Sequence, residues 1–386
     1  MKKIFIFLML VFTLNSCMIK YNRMLMTAVK KEKIGTQMIA SRNEFGFSII
    51  PIQINNKTYH FIFDTGAQVT LISSQLVEEL GLKRLSQIKI SDSQEAKDKL
   101  DIYKINEAYI GNVHYSNIAV VAHDFKDNML SCINIDGVLG MNIIGLSNWE
   151  IDYERKQITL FDIDSITNYN SANYIQFKTK SNRPLLKLFA NGKEENFLLD
   201  TGKNSEEIEL SHKKDTSDII RTTIGYTSFG LFGKSKIDTL QTFFGTLADS
   251  ASFAIDKVVF ESSSNPGRLI GNGFLIKNFA SVFFDFKTDR LYFKNKENKS
   301  INLNYFPIRV AVLNNTAFVS SLDFGFSDFA IGDTIIGIND MSIENGNSAC
   351  DIINAYWKAK ATESSISVAV LKNQAVIRKK YEIITH

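Results

Sequence analysis

The chain has few of the residues that build metal sites or disulfide frameworks. Its 386 residues include three cysteines and five histidines, and Cys17, Cys132 and Cys350 lie far apart. No cysteine pair has the short spacing of a zinc or redox motif, and the histidines are scattered singly. We therefore expect no metal, no cofactor and no disulfide framework, with Cys132 and Cys350 as small buried apolar side chains.

The charge is nearly balanced, because 44 Lys and Arg residues face 41 Asp and Glu residues, for a net charge of +3. Beyond the N-terminus there is no dense basic run, which argues against a nucleic-acid partner and against a polybasic membrane patch. With 45% hydrophobic and 22% charged residues, the composition is that of a globular protein. At this length, two or three domains are expected.

The first 17 residues have the pattern of a targeting signal. Two lysines precede an apolar run at residues 4–12, which is too short to span a bilayer. Residues 14–17, Leu-Asn-Ser-Cys, resemble the lipobox of bacterial lipoproteins. The resemblance implies lipidation of Cys17 and an anchor in a bacterial envelope membrane that the chain does not cross. Residues 18–20 carry no acid, which favours the periplasmic face. The alternative is an ordinary cleaved signal peptide with an incidental cysteine.

An internal duplication organises most of the remaining chain. Residues 38–163 and residues 172–297 share the same order of features. In each copy a predicted strand, a polar turn and a second apolar strand lead into the tripeptide Asp-Thr-Gly. The tripeptides are Asp64-Thr65-Gly66 and Asp200-Thr201-Gly202.

Each copy then has an apolar pair followed by glycine and a short helical stretch. Gly140 follows Asp64 by 76 residues (140 − 64), and Gly271 follows Asp200 by 71 residues (271 − 200). Both copies close with a pair of predicted strands. The short strand patterns predict all-β lobes, with residues 78–82 as the main helix of the first lobe and Gly81 as its stop.

The repeated motif resembles the aspartic peptidases, in which an apolar strand delivers Asp-Thr-Gly and a later apolar-Gly segment runs beside it. The resemblance covers about residues 38–297 and implies a pepsin- or retropepsin-like fold that hydrolyses polypeptides. Asp64 and Asp200 would be the catalytic carboxylates, which share one proton and activate a water as general acid and base. Thr65 and Thr201 would brace the opposite loops, and Gly66 and Gly202 would admit backbone N–H groups to the carboxylates. Both halves lie in one chain, so the site requires no homodimer.

The second copy departs from the family at Lys203, where a small residue is usual. A cation there favours an unproductive, doubly ionised pair unless its long side chain leads the charge away. The rival hypothesis keeps the fold without the chemistry, as a lipid-anchored peptide-binding protein. A glycine-spaced stretch at residues 224–233 predicts a substrate-covering hairpin with Tyr226 and Phe229 facing the peptide, or else a plain edge hairpin.

A third module is expected at residues 304–386, after a linker rich in Lys and Asn. The pattern Gly332-Asp333, an apolar strand and then Asn339-Asp340 resembles the PDZ family, which binds extended peptides at a sheet edge. The resemblance implies a helix near residues 351–358 beside a peptide groove. Because Asn314-Asn315 is a poor substitute for a glycine-rich carboxylate-binding loop, peptide capture and packing against the lobes remain equal alternatives. The predicted fold is thus mainly β, with two pseudo-symmetric β lobes and a small PDZ-like α+β domain.

Overall fold

The computed structural model describes residues 24–31, 35–91, 97–125, 129–164, 173–211, 218–226, 229–230, 233–264, 267–297, 303–372 and 374–386. The signal-like residues 1–17, with Cys17, lie outside this description. The protein is mainly β, as predicted from the sequence. Among the residues described, no helix has the length and apolar character needed to cross a membrane.

Where it is described, the first segment consists mainly of strands, with short helices and a 3₁₀ turn between them. In chain order they are β1 (Val29–Lys30), β2 (Gln37–Ala40), β3 (Arg42–Glu44), β4 (Phe47–Ile54), β5 (Lys57–Phe63), β6 (Thr70–Ser73), α1 (Ser74–Glu79), β7 (Ser86–Ser91), β8 (Lys97–Ile110), β9 (Val113–His123), the 3₁₀ turn Met129–Cys132, β10 (Gly137–Leu139), α2 (Met141–Ile144), β11 (Asn148–Asp152) and β12 (Gln157–Phe161).

The second segment has the same kinds of element in nearly the same order. They are β13 (Tyr174–Lys180), β14 (Arg183–Ala190), β15 (Lys193–Asp200), β16 (Ile208–Leu210), β17 (Ile219–Tyr226), β18 (Phe229–Gly230), β19 (Gly233–Lys234), β20 (Ile237–Ala248), β21 (Ala254–Ser262), β22 (Leu269–Gly271), α3 (Asn272–Asn278), β23 (Phe279–Asp285) and β24 (Arg290–Asn295).

The C-terminal unit combines a 14-residue helix with strands. Its elements are β25 (Asn304–Tyr305), β26 (Ile308–Leu313), β27 (Thr316–Asp323), β28 (Thr334–Ile338), β29 (Met341–Ser342), the 3₁₀ turn Ile343–Asn345, α4 (Ala349–Thr362), β30 (Ser365–Lys372), β31 (Ala375–Glu382) and β32 (Ile384–Thr385).

Strand pairings in the first two segments correspond. β4 pairs antiparallel with β5, and β5 pairs parallel with β10, which lies antiparallel to β6. In the second segment β14, β15, β22 and β16 make the same three pairings. Each hairpin turns on residues with left-handed backbone, Asn55-Asn56 and Asn191-Gly192. Such residues suit two-residue hairpin loops, as the sequence patterns predict.

One shared sheet joins the two segments. Its strands follow the order β2, β12, β11, β23, β24 and β13, so three strands of the first segment continue into three of the second in a single hydrogen-bonded layer. Trp149 and Phe284 are register partners at the junction, and both are fully buried. Burial of these large apolar side chains from both segments stabilises the junction between the segments.

The helix of the first segment begins and ends earlier than expected. It spans Ser74–Glu79, not residues 78–82, because the Ser73 hydroxyl accepts a hydrogen bond from the Leu76 N–H and starts the helix there. Gly81 does lie beyond the C-terminus in the left-handed region, with φ +58°. The prediction that Gly81 follows the helix was therefore right, and the predicted helix bounds, residues 78–82, were wrong.

The expectation for the cysteines was wrong. Cys132 and Cys350 form a disulfide, with their Cα atoms 5.0 Å apart and 218 residues between them in sequence. The bridge connects the 3₁₀ turn of the first segment to the first turn of α4. Sequence spacing gave no sign of this pairing, since only the docking of the C-terminal unit brings the two side chains together.

The C-terminal unit packs against both other segments. Its strand β27 pairs with β17 of the second segment, and Arg221 donates to Asp323 across that junction at 2.7 Å. On the other side, the 3₁₀ turn of the first segment lies against both α4 and β26. The sequence left peptide capture and packing against the lobes as alternatives for this module. The structure shows packing against both other segments.

Candidate active site

The two Asp-Thr-Gly tripeptides come together where β5 and β15 end. The N–H of Asp64 donates to the carbonyl of Leu139 on β10 at 3.1 Å, so the parallel partner strand holds the start of the first loop. In the second segment Asp200 is itself the last residue of β15 and pairs with Gly271 on β22. The apolar-Gly segments thus run directly beside the aspartates, as the family resemblance implies.

Buried threonines brace each loop against the other segment. The Thr65 hydroxyl donates to the Leu199 carbonyl at 2.7 Å, and the Thr201 hydroxyl donates to the Phe63 carbonyl at 2.7 Å. Each hydroxyl also accepts from the opposite backbone, with Thr65 N to Thr201 Oγ1 at 2.9 Å and Thr201 N to Thr65 Oγ1 at 3.2 Å. Both threonines are fully buried. These four bonds fix the position of one loop relative to the other.

The glycines leave room for the carboxyl groups. A Cβ atom on Gly66 would overlap the carboxyl of Asp200, and one on Gly202 would overlap the carboxyl of Asp64. The Gly66 N–H donates to Asp64 Oδ1 at 2.6 Å, and the Gly202 N–H donates to Asp200 Oδ1 at 3.0 Å. Any larger residue at either glycine position would therefore push the two carboxyl groups out of place.

The two carboxyl groups face each other across the junction, each against the glycine of the opposite tripeptide, and each changes the pKa of the other. Burial raises the pKa of Asp64 well above its usual range, and the negative charge of Asp200 raises it further. Burial also raises the pKa of Asp200, but less, because the bond from Asp64 and the charges of Lys203 and Arg183 oppose it. Of the two carboxyl groups, Asp64 therefore has the greater tendency to keep its proton.

Lys203 is paired with a carboxylate other than those of Asp64 and Asp200. Its ammonium group forms an ion pair with Glu209 on β16, and only 15% of each side chain is exposed. Burial opposes the charge on Lys203, but Glu209 more than compensates and raises the pKa of Lys203. The cation beside the second Asp-Thr-Gly is thus charged and has its own carboxylate partner.

This ion pair continues into the C-terminal unit. Glu209 is the register partner of Glu261 on β21, and Glu261 binds the guanidinium of Arg309 from β26. Arg309 also lies 3.9 Å from Glu207. Burial opposes the ionisation of Glu207, but Arg309 and Lys360 lower its pKa to about 2. A largely buried cluster of acidic and basic side chains therefore connects the second Asp-Thr-Gly loop with the C-terminal unit.

The predicted covering hairpin lies partly against the C-terminal unit. Tyr226, at the end of β17, packs its ring edge-on to Phe318 of β27 with 6.1 Å between centroids. Gly225 is the register partner of Ser321, which a Cβ atom on Gly225 would overlap. Phe229 lies in β18, and its side chain is outside the description. One face of this hairpin is thus used for docking the C-terminal unit.

Three polar residues near the pair were not identified from the sequence. Asn142 Oδ1 accepts from the Thr70 hydroxyl at 2.8 Å, and its amide donates to the Ala119 carbonyl at 2.9 Å. Asn272 of α3 accepts from the Tyr153 hydroxyl at 2.8 Å. Arg183 of β14 donates to the Gly66 carbonyl at 3.3 Å. In each copy of the duplication an Asn closely follows the glycine of the apolar-Gly segment, Gly140 or Gly271. Nothing in the sequence indicated Arg183.

Within the described ranges, no group of three or more His, Cys, Asp or Glu side chains is arranged to hold a metal ion. The groups that the structure places at the site are the paired carboxyl groups of Asp64 and Asp200 and the backbone N–H groups beside them. Both aspartates are half-buried, so the pair remains accessible from outside.

Comparison with known families gives an independent match to part of the chain. Residues 50–143 match the family described as Aspartyl protease. The matched range contains Asp64, Thr65 and Gly66, the hairpin before them and the apolar-Gly segment after them. The comparison with curated proteins gave no match. The chain thus contains an aspartyl protease-like domain, whose class acts on polypeptides.

Proposed function

We propose that this protein is an aspartic endopeptidase whose catalytic residues are Asp64 and Asp200. The observation that carries the proposal is the convergence of the two carboxyl groups, each against the glycine of the opposite tripeptide, at the ends of two corresponding strands. The family match supports only the half that contains Asp64. The second half is proposed from its corresponding strand pairings and from its own Asp-Thr-Gly.

In the proposed mechanism, a water bound between the carboxyl groups attacks the scissile carbonyl of a peptide. Asp200 acts as general base, because Lys203 and Arg183 favour its ionised form. Asp64 carries the shared proton, polarises the carbonyl oxygen and later supplies the proton that the leaving amine requires. The glycine and alanine N–H groups around Asp64 orient its carboxyl group, with Ala67 N donating to Asp64 Oδ1 at 3.1 Å.

The alternative of a peptide-binding protein without catalysis has less support. Lys203 was the residue that favoured it, and Lys203 is paired with Glu209 rather than with either member of the dyad. An ammonium with its own carboxylate partner leaves the shared proton in place.

Cleavage of a denatured protein mixture between about pH 3 and 8 tests the proposal. The soluble form beginning after Cys17 would be compared with Asp64→Asn and Asp200→Asn. Asp289→Asn is the matched control, because Asp289 lies in a turn with φ +54°, where Asn is equally accommodated. We expect cleavage by the parent and the control, and none by either dyad variant. Cleavage that survives both dyad substitutions would refute the assignment.

We also propose that Cys17 is lipidated and that the protein is held at a bacterial envelope membrane, on its periplasmic face. The lipobox-like residues 14–17 support this, and so does the Cys132–Cys350 disulfide, because such bonds persist mainly in oxidising compartments. Labelled palmitate should be incorporated into the wild type and not into Cys17→Ala. The variant should also move from the membrane fraction to the soluble fraction.

For the C-terminal unit we propose a PDZ-like fold. The Gly332-Asp333 turn supports it, since the Asp333 carboxylate accepts from the Ala330 N–H at 2.8 Å and closes the loop before β28. The helix α4 lies beside β26, as the helix beside the groove strand does in the family it resembles. The Tyr356 hydroxyl of α4 donates to the Ile308 carbonyl on β26 at 2.9 Å, so the space between them is already bridged.

A further inference from the structure

A turn of the first segment holds the second Asp-Thr-Gly loop. Phe45 and Gly46 connect β3 to β4, and the Phe45 carbonyl accepts a hydrogen bond from the Asn204 amide at 2.9 Å. Asn204 lies only four residues after Asp200 in the same loop. The Gly46 carbonyl accepts from the Asn272 amide at 2.7 Å, on the helix that follows the apolar-Gly segment. The Asp200 loop, through Asn204, and the helix α3, through Asn272, are therefore both hydrogen-bonded to this one turn.

The turn is itself supported by the C-terminal unit. The ring of Phe45 lies 6.1 Å from the ring of Trp357 on α4, at an interplanar angle of 58°. Phe45 packs simultaneously against the apolar core of the first segment and that of the C-terminal unit, and Met129 of the 3₁₀ turn does the same. The contact thus joins α4, the turn and the Asp200 loop in one continuous path.

The backbone of Phe45 is in the left-handed region, with φ +49°. This conformation is unfavourable for a bulky residue and persists only where its surroundings enforce it. The pairing of Glu44 with Phe47 sets this conformation, because Phe45 and Gly46, with φ +49° and +82°, form the two-residue turn of the β3–β4 hairpin. Asn204 binds the Phe45 carbonyl and Trp357 packs against the Phe45 ring, so without Trp357 one of the contacts that hold the turn in place is lost.

The position of α4 relative to the turn is fixed at several points. The Cys132–Cys350 disulfide connects its first turn to the 3₁₀ turn of the first segment. The pairing of β27 with β17 and the ion pair of Arg309 with Glu261 hold the unit to the second segment. The C-terminal unit therefore contacts both segments that contribute an aspartate.

We propose that Trp357 and Phe45 are positioning residues through which the C-terminal unit holds the Asp200 loop in place. The inference rests on the proposed function, because it assigns this contact a part in catalysis. The C-terminal unit is then a required part of the peptidase. The segment that packs against α4 at Trp357 is the Phe45-Gly46 turn of the same chain.

The effect on catalysis follows from the sensitivity of the shared proton to distance. A shift of the Asp200 loop lengthens the bond between the carboxyl groups and misplaces the water, and displacements near 1 Å can cost about 100-fold in rate. We expect Trp357→Ala to lower kcat by about tenfold or more, with a smaller change in KM. The pH profile should change as well, because separated carboxyl groups titrate more independently.

Hydrogen exchange of the Asp200 loop provides a readout that needs no activity. The amides of Thr201, Gly202 and Lys203 are all hydrogen-bonded in this structure, and they should exchange slowly in the parent. We expect faster exchange in Trp357→Ala and near-parent exchange in Trp357→Phe, which retains an aromatic contact. Tyr381→Ala is the matched control, because Tyr381 is a half-buried aromatic residue of the same unit that packs against Phe326 and Phe329 instead.

The two proposals fail in distinguishable ways. If the parent cleaves no peptide but its loop exchange rises in Trp357→Ala, the peptidase assignment fails while the physical hold on the loop stands. If the exchange and the pH profile of Trp357→Ala match the parent, the positioning role is refuted. Should Trp357→Ala not fold, Phe45→Ala takes its place, since it removes the same contact and leaves the core of the C-terminal unit intact. The same exchange result is then required.

Discussion

Replacing Thr201 with valine tests the brace between the two loops. Valine has nearly the same shape, so packing is retained and the hydroxyl alone is lost. The hydroxyl donates to the Phe63 carbonyl at 2.7 Å and accepts from the Thr65 N–H at 2.9 Å. Both backbone groups would remain buried without a partner, and each such group costs about 1 to 3 kcal/mol. We therefore expect Thr201→Val to lower the free energy of unfolding by about 2 to 5 kcal/mol.

The chain offers a matched control at Thr223. Thr223 is also fully buried, and its hydroxyl has no hydrogen-bond partner within the part of the chain that the structure describes. Its replacement by valine removes a desolvated polar atom and should be neutral or stabilising. The assay is urea unfolding followed by tryptophan fluorescence, with Thr201→Ser as a variant that keeps the hydroxyl. Equal midpoints for Thr201→Val and Thr223→Val would refute the reasoning.

Three further predictions concern charge and the disulfide. Lys203→Met should move the acidic limb of the cleavage profile to higher pH, because the Lys203 charge lowers the pKa of Asp200; an unchanged limb would contradict that coupling. In thermal unfolding, Asp64→Asn should gain stability relative to the parent as pH rises. The pKa of Asp64 is raised in the fold, so its ionisation at higher pH destabilises the parent and cannot occur in the variant. Parallel plots of unfolding midpoint against pH for the two proteins would contradict this. The Cys132–Cys350 bridge spans 218 residues, for which chain entropy gives an upper value of about 5 kcal/mol. Reductant should therefore lower the unfolding midpoint of the parent but not of Cys132→Ser, and a reductant effect in both would exclude the disulfide as its cause.

Local pattern was sufficient to predict the hairpins that deliver the aspartates. Alternating apolar residues before Asp64 and Asp200, with Asn and Gly in the turns, produced β5 and β15 and their partners β4 and β14 where expected. Their recurrence at near-equal spacing identified the candidate pair, because short-range turn chemistry and strand periodicity are encoded within a few residues. The helix start at Ser74 was missed, since the cap at Ser73 was overlooked in favour of the later Gly81.

The sequence by itself determined the mainly β architecture and the two hairpins that lead into the Asp-Thr-Gly tripeptides. Only the tertiary structure decided how the charges and cysteines are used. Lys203 follows Asp200 by three residues in sequence, and in the structure its ammonium group forms an ion pair with Glu209 of β16. Cys132 and Cys350 meet because α4 docks on the first segment, and Phe45 gains its contact with Trp357 for the same reason. The last two of these contacts join residues more than 200 positions apart, and no local pattern records which distant surfaces will meet.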